Sequence, residues 1–461
     1  MKPPQGVDAR SAPAVRVDGD HAARRDRLLE AVRGVGSGPF GLHKDTSNLF
    51  RDRAPAARRR LDVRGFNHVL HVDSAGRWIE AEGMTTYEDL VAAALVHGVL
   101  PAVVPELKTI TLGGAAAGIG IEASSFRYGL VHESLIEVDV LTGDGRLRSC
   151  RPDNEHRDLF FGFPNSYGTL GYALKLKVRA IPAKPFVQLA HRRFTGASTF
   201  FEALEAECRT DADFIDGVIF GPDELYLNSG CFADAAPYLS DYTFEHIYYR
   251  SIRERATDYL TVHDFIWRWD TDWFWCSKNL GAQVPWIRRL YGRRRLGSST
   301  YQRIMRWNRR RGFSAALDRL RGGHAESVIQ DVDIPIANAG AFLEFFQREI
   351  GIAPVWACPL VGTEMADRFT LYPLRPRQLY VNFGFWDVLR RPTRVAPDHF
   401  NRMLELKVDE LGGIKSLYSD SFYTRGDFSR LYGGDAYRAL KEKYDPDRAF
   451  PQLYDKCVLR G

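Results

Sequence analysis

Two short runs of alternating apolar and polar residues, Val69-Leu-His-Val-Asp73 and Trp78-Ile-Glu-Ala-Glu82, flank the turn Ser74-Ala-Gly76 and predict a β-hairpin. The period then changes. Between Thr85 and Gly98, residues Leu90, Ala94 and Leu95 share a helical face, Thr85 with Glu88 makes a capping box, and Gly98 stops the helix. Alternation returns in Leu135–Leu141, turns at Gly143-Asp-Gly145, and resumes through Arg146–Cys150 and Tyr172–Arg179. From about Phe186 onward aromatic residues dominate; Ala341–Ile350 reads as an amphipathic helix and Gln378–Trp386 as a buried strand through Leu379, Val381, Phe383 and Phe385. Trp267, Trp269, Trp273 and Trp275 occupy alternate positions, so a strand would gather them on one face and a helix would spread them around its circumference. Core packing and the wall of a large apolar pocket both account for them. No repeat recurs at a period of roughly 20 to 50 residues, and the mixture predicts an α+β fold.

One stretch departs from both periods. Thr109-Ile-Thr-Leu-Gly-Gly-Ala-Ala-Ala-Gly-Ile-Gly-Ile-Glu-Ala-Ser-Ser-Phe-Arg-Tyr-Gly129 strings small residues along the chain with little side-chain bulk. Gly113, Gly114, Gly118 and Gly120 can take positive φ and let main chain approach a ligand, while Ser124 and Ser125 add hydroxyl donors, so an anion such as a pyrophosphate suits the segment. It is neither a P-loop, for want of Gly-Lys-Ser/Thr, nor a Rossmann turn, for want of G-x-G-x-x-G. A glycine-rich turn packed under a sheet is the plain alternative.

The surrounding sequence resembles the flavin-binding domain of the vanillyl-alcohol oxidase or p-cresol methylhydroxylase type, and more narrowly its Δ24-sterol reductase branch. The resemblance runs through Ile79–Leu90, Leu100–Leu107, the glycine stretch, Asp158–Gly171, Ile181–Lys184, Leu417–Arg425 and Ala449–Cys457. It implies a flavin domain of two α/β subdomains and an α+β substrate cap with an antiparallel sheet. On that basis residues 1–20 are expected to be a flexible tail, 21–185 the flavin domain, 186–410 the cap, and 411–461 a segment returning to the flavin domain. It also implies FAD, with Thr111, Gly113, Gly114, Ala115, Gly118, Gly120, Ser124, Ser125 and Gly129 around the pyrophosphate and the Gly168–Gly171 turn against the cofactor. Many relatives carry an Arg-Gly-Gly-His type segment whose histidine can bond the flavin. Here the region reads Gly41-Leu-His-Lys-Asp-Thr-Ser-Asn-Leu-Phe50, so non-covalent FAD is expected, with His43 the only substitute at that position.

Composition narrows the class. With 45% hydrophobic and 26% charged residues, the 461-residue chain has the profile of a soluble globular protein. No run approaches the ~20 apolar residues of a membrane span, a departure from the N-terminal membrane segment usual in sterol reductases. Six cysteines without C-x-x-C spacing point to neither a metal site nor a disulfide framework, and a cytoplasmic location is the simplest reading. The net charge of +5 is uneven: Trp286 to Phe313 contains Arg288, Arg289, Arg293, Arg294, Arg295, Arg303, Arg306, Arg309, Arg310 and Arg311 and no acidic residue. Interleaved aromatics give this stretch an interfacial character, so peripheral contact with the inner face of the cell membrane is expected; a solvated basic face is the alternative, and nucleic acid is not expected.

Reducing an isolated alkene needs a hydride at one carbon and a proton at the other, hence a general acid. The candidates are Tyr418, Tyr423 and Glu122, followed by Asp420, Arg425 and His132. Tyr418 and Tyr423 could instead be packed phenols, and Glu122 could brace the glycine stretch. The sequence reading is an FAD-dependent, NAD(P)H-driven reductase of a lipid double bond in a branched or methylene-fatty acyl chain or a sterol side chain, with a lipid-modifying methyltransferase as companion. The alternatives are an oxidase or dehydrogenase of an alcohol or hydroxy acid, and a flavin- or lipid-binding protein without redox activity.

Overall fold

A computed structural model describes residues 20–35, 38–45, 50, 59–311, 324–392 and 395–459. Residues 1–19 of the expected tail, the stretch 46–49 and Phe313 lie outside the described residues, as do the side chains of Arg306, Arg309, Arg310 and Arg311. The fold is α+β and is built on two antiparallel sheets.

In the first sheet the hairpin Val69–Asp73 and Trp78–Glu82 pairs through its second strand with Tyr172–Pro182, which pairs on its other edge with Leu135–Leu141 and then Leu147–Cys150. Val99–Pro101 adds to the end of the Tyr172–Pro182 strand. The helix after the hairpin spans Tyr87–Val96, one residue later than its capping signal suggested. Thr86, not Thr85, is the N-cap and accepts from the Asp89 amide, while the Thr85 hydroxyl is buried and donates to the His68 carbonyl. A further helix, His21–Val35, is pinned to this sheet by Glu82, a buried carboxylate held by His21, Arg24 and His68.

The second sheet begins at Phe186. Its order is Thr257–Thr261, Phe186–Phe194, Glu224–Ala233, Phe214–Gly221, Val355–Val361, Leu379–Arg391, His324–Pro335 and Ile414–Lys415. Helices Ala197–Glu207, Ile336–Glu349 and His399–Glu410 cover one face, where Leu204, Phe342, Phe346 and Leu404 meet Val328, Val332, Phe383 and Phe385. Because side chains alternate along a strand, Asp331, Asp333, Trp356 and Trp386 belong to the opposite face, which looks toward the first sheet.

The tryptophan series does not form a strand. It winds through a short helix, Val262–Ile266, and two 3-10 turns, Asp270–Asp272 and Cys276–Leu280. Trp269 and Trp275 are fully buried, and Trp273 and Phe274 between them adopt the left-handed conformation at φ 47° and 56°.

Candidate active site

A cavity of about 560 Å³ is lined by residues from both sheets and the segments between them. On one side stand Thr111, Gly113, Gly114, Ala115, Gly118 and Gly120, together with Gly168 and Gly171. On the other stand Trp273, Phe274, Trp356, Trp386, Tyr418 and Asp331.

The glycine stretch is a helix start, not an open loop. Leu112–Ala117 is helical, and Thr111 caps it by accepting from the Gly114 amide. None of Gly113, Gly114, Gly118 and Gly120 has positive φ, which corrects the conformational reason for their presence. The reason is crowding: a Cβ on Gly113 would lie 2.7 Å from the Gly83 carbonyl oxygen, and one on Gly120 would lie 2.7 Å from Val131 Cγ2 and 2.9 Å from Pro105 Cγ. The amides at the helix start are engaged within the protein, Leu112 on Thr85, Gly113 on Gly83 and Ala115 on Thr111. Those of Ile119, Gly120, Ile121 and Gly168 have no acceptor among the described residues. Lys44, Arg60 and Lys456 add positive charge to the lining. Unpaired amides beside cations make an anion cradle.

Gly168 and Gly171 do require positive φ, at 76° and 151°. The turn also holds Asn165 and Tyr167 in that region at 60° and 49°, a strain of about 1–3 kcal/mol per residue for non-glycine types. Anchors from the end of the chain fix it. Lys441 donates to the Thr169 carbonyl at 2.7 Å and pairs with Asp445, and Lys456 donates to the Tyr167 carbonyl.

Aromatic rings close the other end. Phe274 lies against Trp386 with ring centroids 4.4 Å apart and is stacked on Trp269, and Phe50 stacks on Trp273. The Trp386 indole donates to the Tyr418 hydroxyl at 2.8 Å, and the Phe50 amide donates to the Tyr418 carbonyl at 3.0 Å. Burial raises the Tyr418 pKa well above the ordinary phenol value, with Asp331 adding to the rise. Asp331 is partly buried in the cavity wall, and its buried Oδ1 has no hydrogen-bond partner among the described residues. Burial and the neighbouring Asp333 push its pKa up to about 8, and contact with the Tyr418 hydroxyl offsets part of the rise.

Behind Trp356 lies a buried ionic cluster. Arg268 reaches Glu106 at 2.9 Å, Glu122 at 3.1 Å and Asp216 at 2.9 Å, and the Trp356 indole donates to Asp216. Of these charged groups only Glu106 lines the cavity. Desolvation raises both Glu106 and Glu122, and Arg268 opposes the rise.

The cavity therefore gathers Tyr418 with eight of the eleven residues expected around the cofactor: Thr111, Gly113, Gly114, Ala115, Gly118, Gly120, Gly168 and Gly171. The others brace it from outside the lining. Ser124 donates to the Ala102 carbonyl, Ser125 accepts from the Glu122 amide, and a Cβ on Gly129 would meet Glu133 at 2.5 Å. Glu122 is enclosed by Arg268, and Tyr423 packs among Phe428 and Tyr432. Arg425 is exposed over the Tyr454 ring, Asp420 accepts from Lys415 through its carbonyl, and His132 is buried against Phe369 with its pKa lowered by desolvation to about 3. His43 is exposed beside Asp62 and outside the lining. Asp331 and Glu106 are the acids that the sequence reading missed.

An anion cradle that opens into an aromatic chamber suits a flavoprotein of the FAD-binding oxidoreductase class. Residues 44–151 match the FAD binding domain family. The chain is 28% identical over 406 residues to the Delta(24)-sterol reductase of Homo sapiens, covering 84% of this chain and 75% of that one. It is 23% identical over 449 residues to the Delta(24)-sterol reductase of Pisum sativum, covering 88% and 77%. Cytokinin dehydrogenase 2 of Oryza sativa subsp. japonica is 29% identical over 205 residues, 43% of this chain and 34% of that one. Residues 44–151 are an FAD-binding domain of the p-cresol methylhydroxylase type, and Δ24-sterol reductases are homologues over most of the chain's length. The residues present fit FAD: unpaired amides and cations stand ready for its diphosphate, on a helix start packed too tightly for larger residues at Gly113 and Gly120.

Proposed function

We propose that the protein is an FAD-dependent reductase of a carbon–carbon double bond in a lipid, with NAD(P)H as the hydride donor. The observation that carries this reading is the continuity of one cavity from unpaired amides and cations to a chamber of indole, phenyl and phenol rings. Relatives named for reducing a sterol support a lipid substrate. Bound FAD supplies hydride exchange, a chemistry no side chain offers. Ile119, Gly120, Ile121 and Gly168 would hold its diphosphate through their amides, and Lys44, Arg60 and Lys456 would balance its charge. Trp273, Phe274, Trp356 and Trp386 would orient a hydrocarbon and exclude water.

A branched alkene suits such a chamber, because protonation places the developing positive charge on a tertiary carbon. A methylene-branched acyl chain meets the requirement, with a lipid-modifying methyltransferase as the class of enzyme that supplies it, and so does a sterol side chain. Access from the inner face of a membrane runs past the Pro285–Tyr291 helix, whose Trp286 and Leu290 are exposed. Leu296 and Tyr301, just beyond it, pack on Trp273 of the cavity wall. Fewer arginines are free for lipid phosphates than the sequence promised: Arg288 is buried on Asp272, Arg289 pairs with Glu245, and Arg293 pairs with Asp241. No helix among the described residues is long and apolar enough to cross a membrane.

Anaerobic mixing tests the proposal. NADPH is expected to bleach the bound flavin and a branched alkene lipid to restore its colour. Bleaching by an alcohol instead would identify a dehydrogenase, and no bleaching by either would leave a binding protein. Cosedimentation with phosphatidylglycerol vesicles, lost on Trp286→Ser with Leu290→Ser, is the expected sign of membrane contact.

A further inference from the structure

We infer that Asp331 is the catalytic acid, delivering from its carboxyl the proton that the alkene receives. This rests on the reductase reading above and names a group that it leaves unassigned. The placement follows from register. Val328, Val332 and Ile334 on the strand His324–Pro335 point into the helix-covered core, and Asp331 falls on the face toward the cavity. Directly across the ladder from Asp331 is Gly384. A Cβ on Gly384 would lie 2.8 Å from Asp331 Oδ1 and 2.5 Å from the Trp386 ring, so glycine there leaves the carboxyl and the indole room side by side.

A carboxylate with one oxygen buried and unpartnered is costly, and a neutral carboxylic acid in the same place less so. The groups around Asp331 favour the neutral form: Asp333 from its own strand repels a second negative charge, the strand Leu379–Arg391 contributes Gly384 and Trp386, and the segment on the other side contributes Ser416, which bonds the Asp331 carbonyl, and Lys415, whose ammonium is turned to Glu405. The Tyr418 hydroxyl from the neighbouring segment acts weakly the other way. With a pKa of about 8, the acid holds its proton at neutral pH and gives it up readily. Tyr418 itself is too weak an acid once buried, and Glu106 is tied to Arg268.

The step balances. The π electron pair takes the Asp331 proton to form one C–H bond, and a hydride equivalent drawn from NAD(P)H forms the other. NAD(P)H is oxidised, the alkene is reduced to a CH–CH unit, and the Asp331 carboxylate regains a proton from water.

The test uses FAD-loaded protein, NADPH, and two probes: phosphatidylglycerol vesicles bearing a methylene-branched acyl chain, and a Δ24-sterol. Relative to bleaching by NADPH, recolouring by alkene is expected to slow about 10²- to 10⁴-fold in Asp331→Asn and to recover partly in Asp331→Glu. The wild-type recolouring rate should fall as pH rises through about 8, and this fall should be absent from Asp331→Asn. Independently of turnover, the visible spectrum of the bound flavin should show a step over the same pH range in wild type and none in Asp331→Asn. Wild-type recolouring in Asp331→Asn, or loss confined to Glu106→Gln, overturns the assignment. Failure of wild type to recolour with either probe overturns the reductase reading and this assignment together, and so is distinguishable from failure of the assignment alone.

Discussion

The cavity wall around Thr111–Gly120 presents main chain and almost no side-chain atoms, whereas the facing wall, from strands His324–Pro335, Val355–Val361 and Leu379–Arg391, presents indoles and a carboxyl. The first is shaped by what is missing: an added methyl group meets backbone within 3 Å at Gly113. The second is shaped by polarity at and behind it, with Asp331 and Glu106 in the lining and Arg268 enclosed behind Glu106. One wall should therefore fail when an atom is added, and the other when a charge is left without its counterpart.

The sharpest break in that contrast is Arg268→Met. Removing the cation leaves Glu106, Glu122 and Asp216 crowded together, and breaking a buried ion pair typically costs about 3–5 kcal/mol. Urea denaturation at neutral pH should register a loss of that order, with partial recovery at lower pH as the carboxylates take up protons. Gly113→Ala comes next. Alanine favours a helix interior by about 1 kcal/mol over glycine, but overpacking against backbone costs about 1–3 kcal/mol, so the net effect should be destabilising. FAD uptake, followed by absorbance, should weaken in parallel; unchanged uptake would show that crowding does not define this wall.

Asp331→Asn separates charge from shape. The folded-state pKa near 8 lies above the unfolded value of about 3.9. Between these two values the folded protein binds the extra proton, so the contribution of Asp331 to stability is greatest below about pH 4 and declines as pH rises toward 8. The asparagine variant lacks this decline, and its melting temperature should gain on wild type between pH 5 and pH 9. Thr111→Ala is the mildest test. It removes the N-cap of the glycine-rich helix, worth about 1 kcal/mol, and should lower thermal stability slightly while loosening FAD.

Much of the backbone was legible. The hairpin at residues 69–82, the helix ending before Gly98 and the strand through Val381 and Phe383 follow from period alone, and the glycine stretch stood out by composition as a segment that now lines the cavity. The facing wall was not legible, for a physical reason. Val328 to Ile334 reads as an ordinary half-buried strand, on which Asp331 and Asp333 would look toward water; only packing against the first sheet turns that face inward. Gly384 inside an apolar strand was the available signal of close approach. Left-handed backbone at Trp273 and Phe274 has no sequence signature. Arg288 was read as part of a basic surface because its partner Asp272, sixteen positions earlier, lies outside the arginine-rich stretch.

Lys441 and Lys456 hold the carbonyls of the turn that contains Gly168. A chain emerging from the ribosome can fold its early strands long before these two lysines exist. That turn would then wait unfastened, and cofactor capture would follow only once synthesis has passed residue 456.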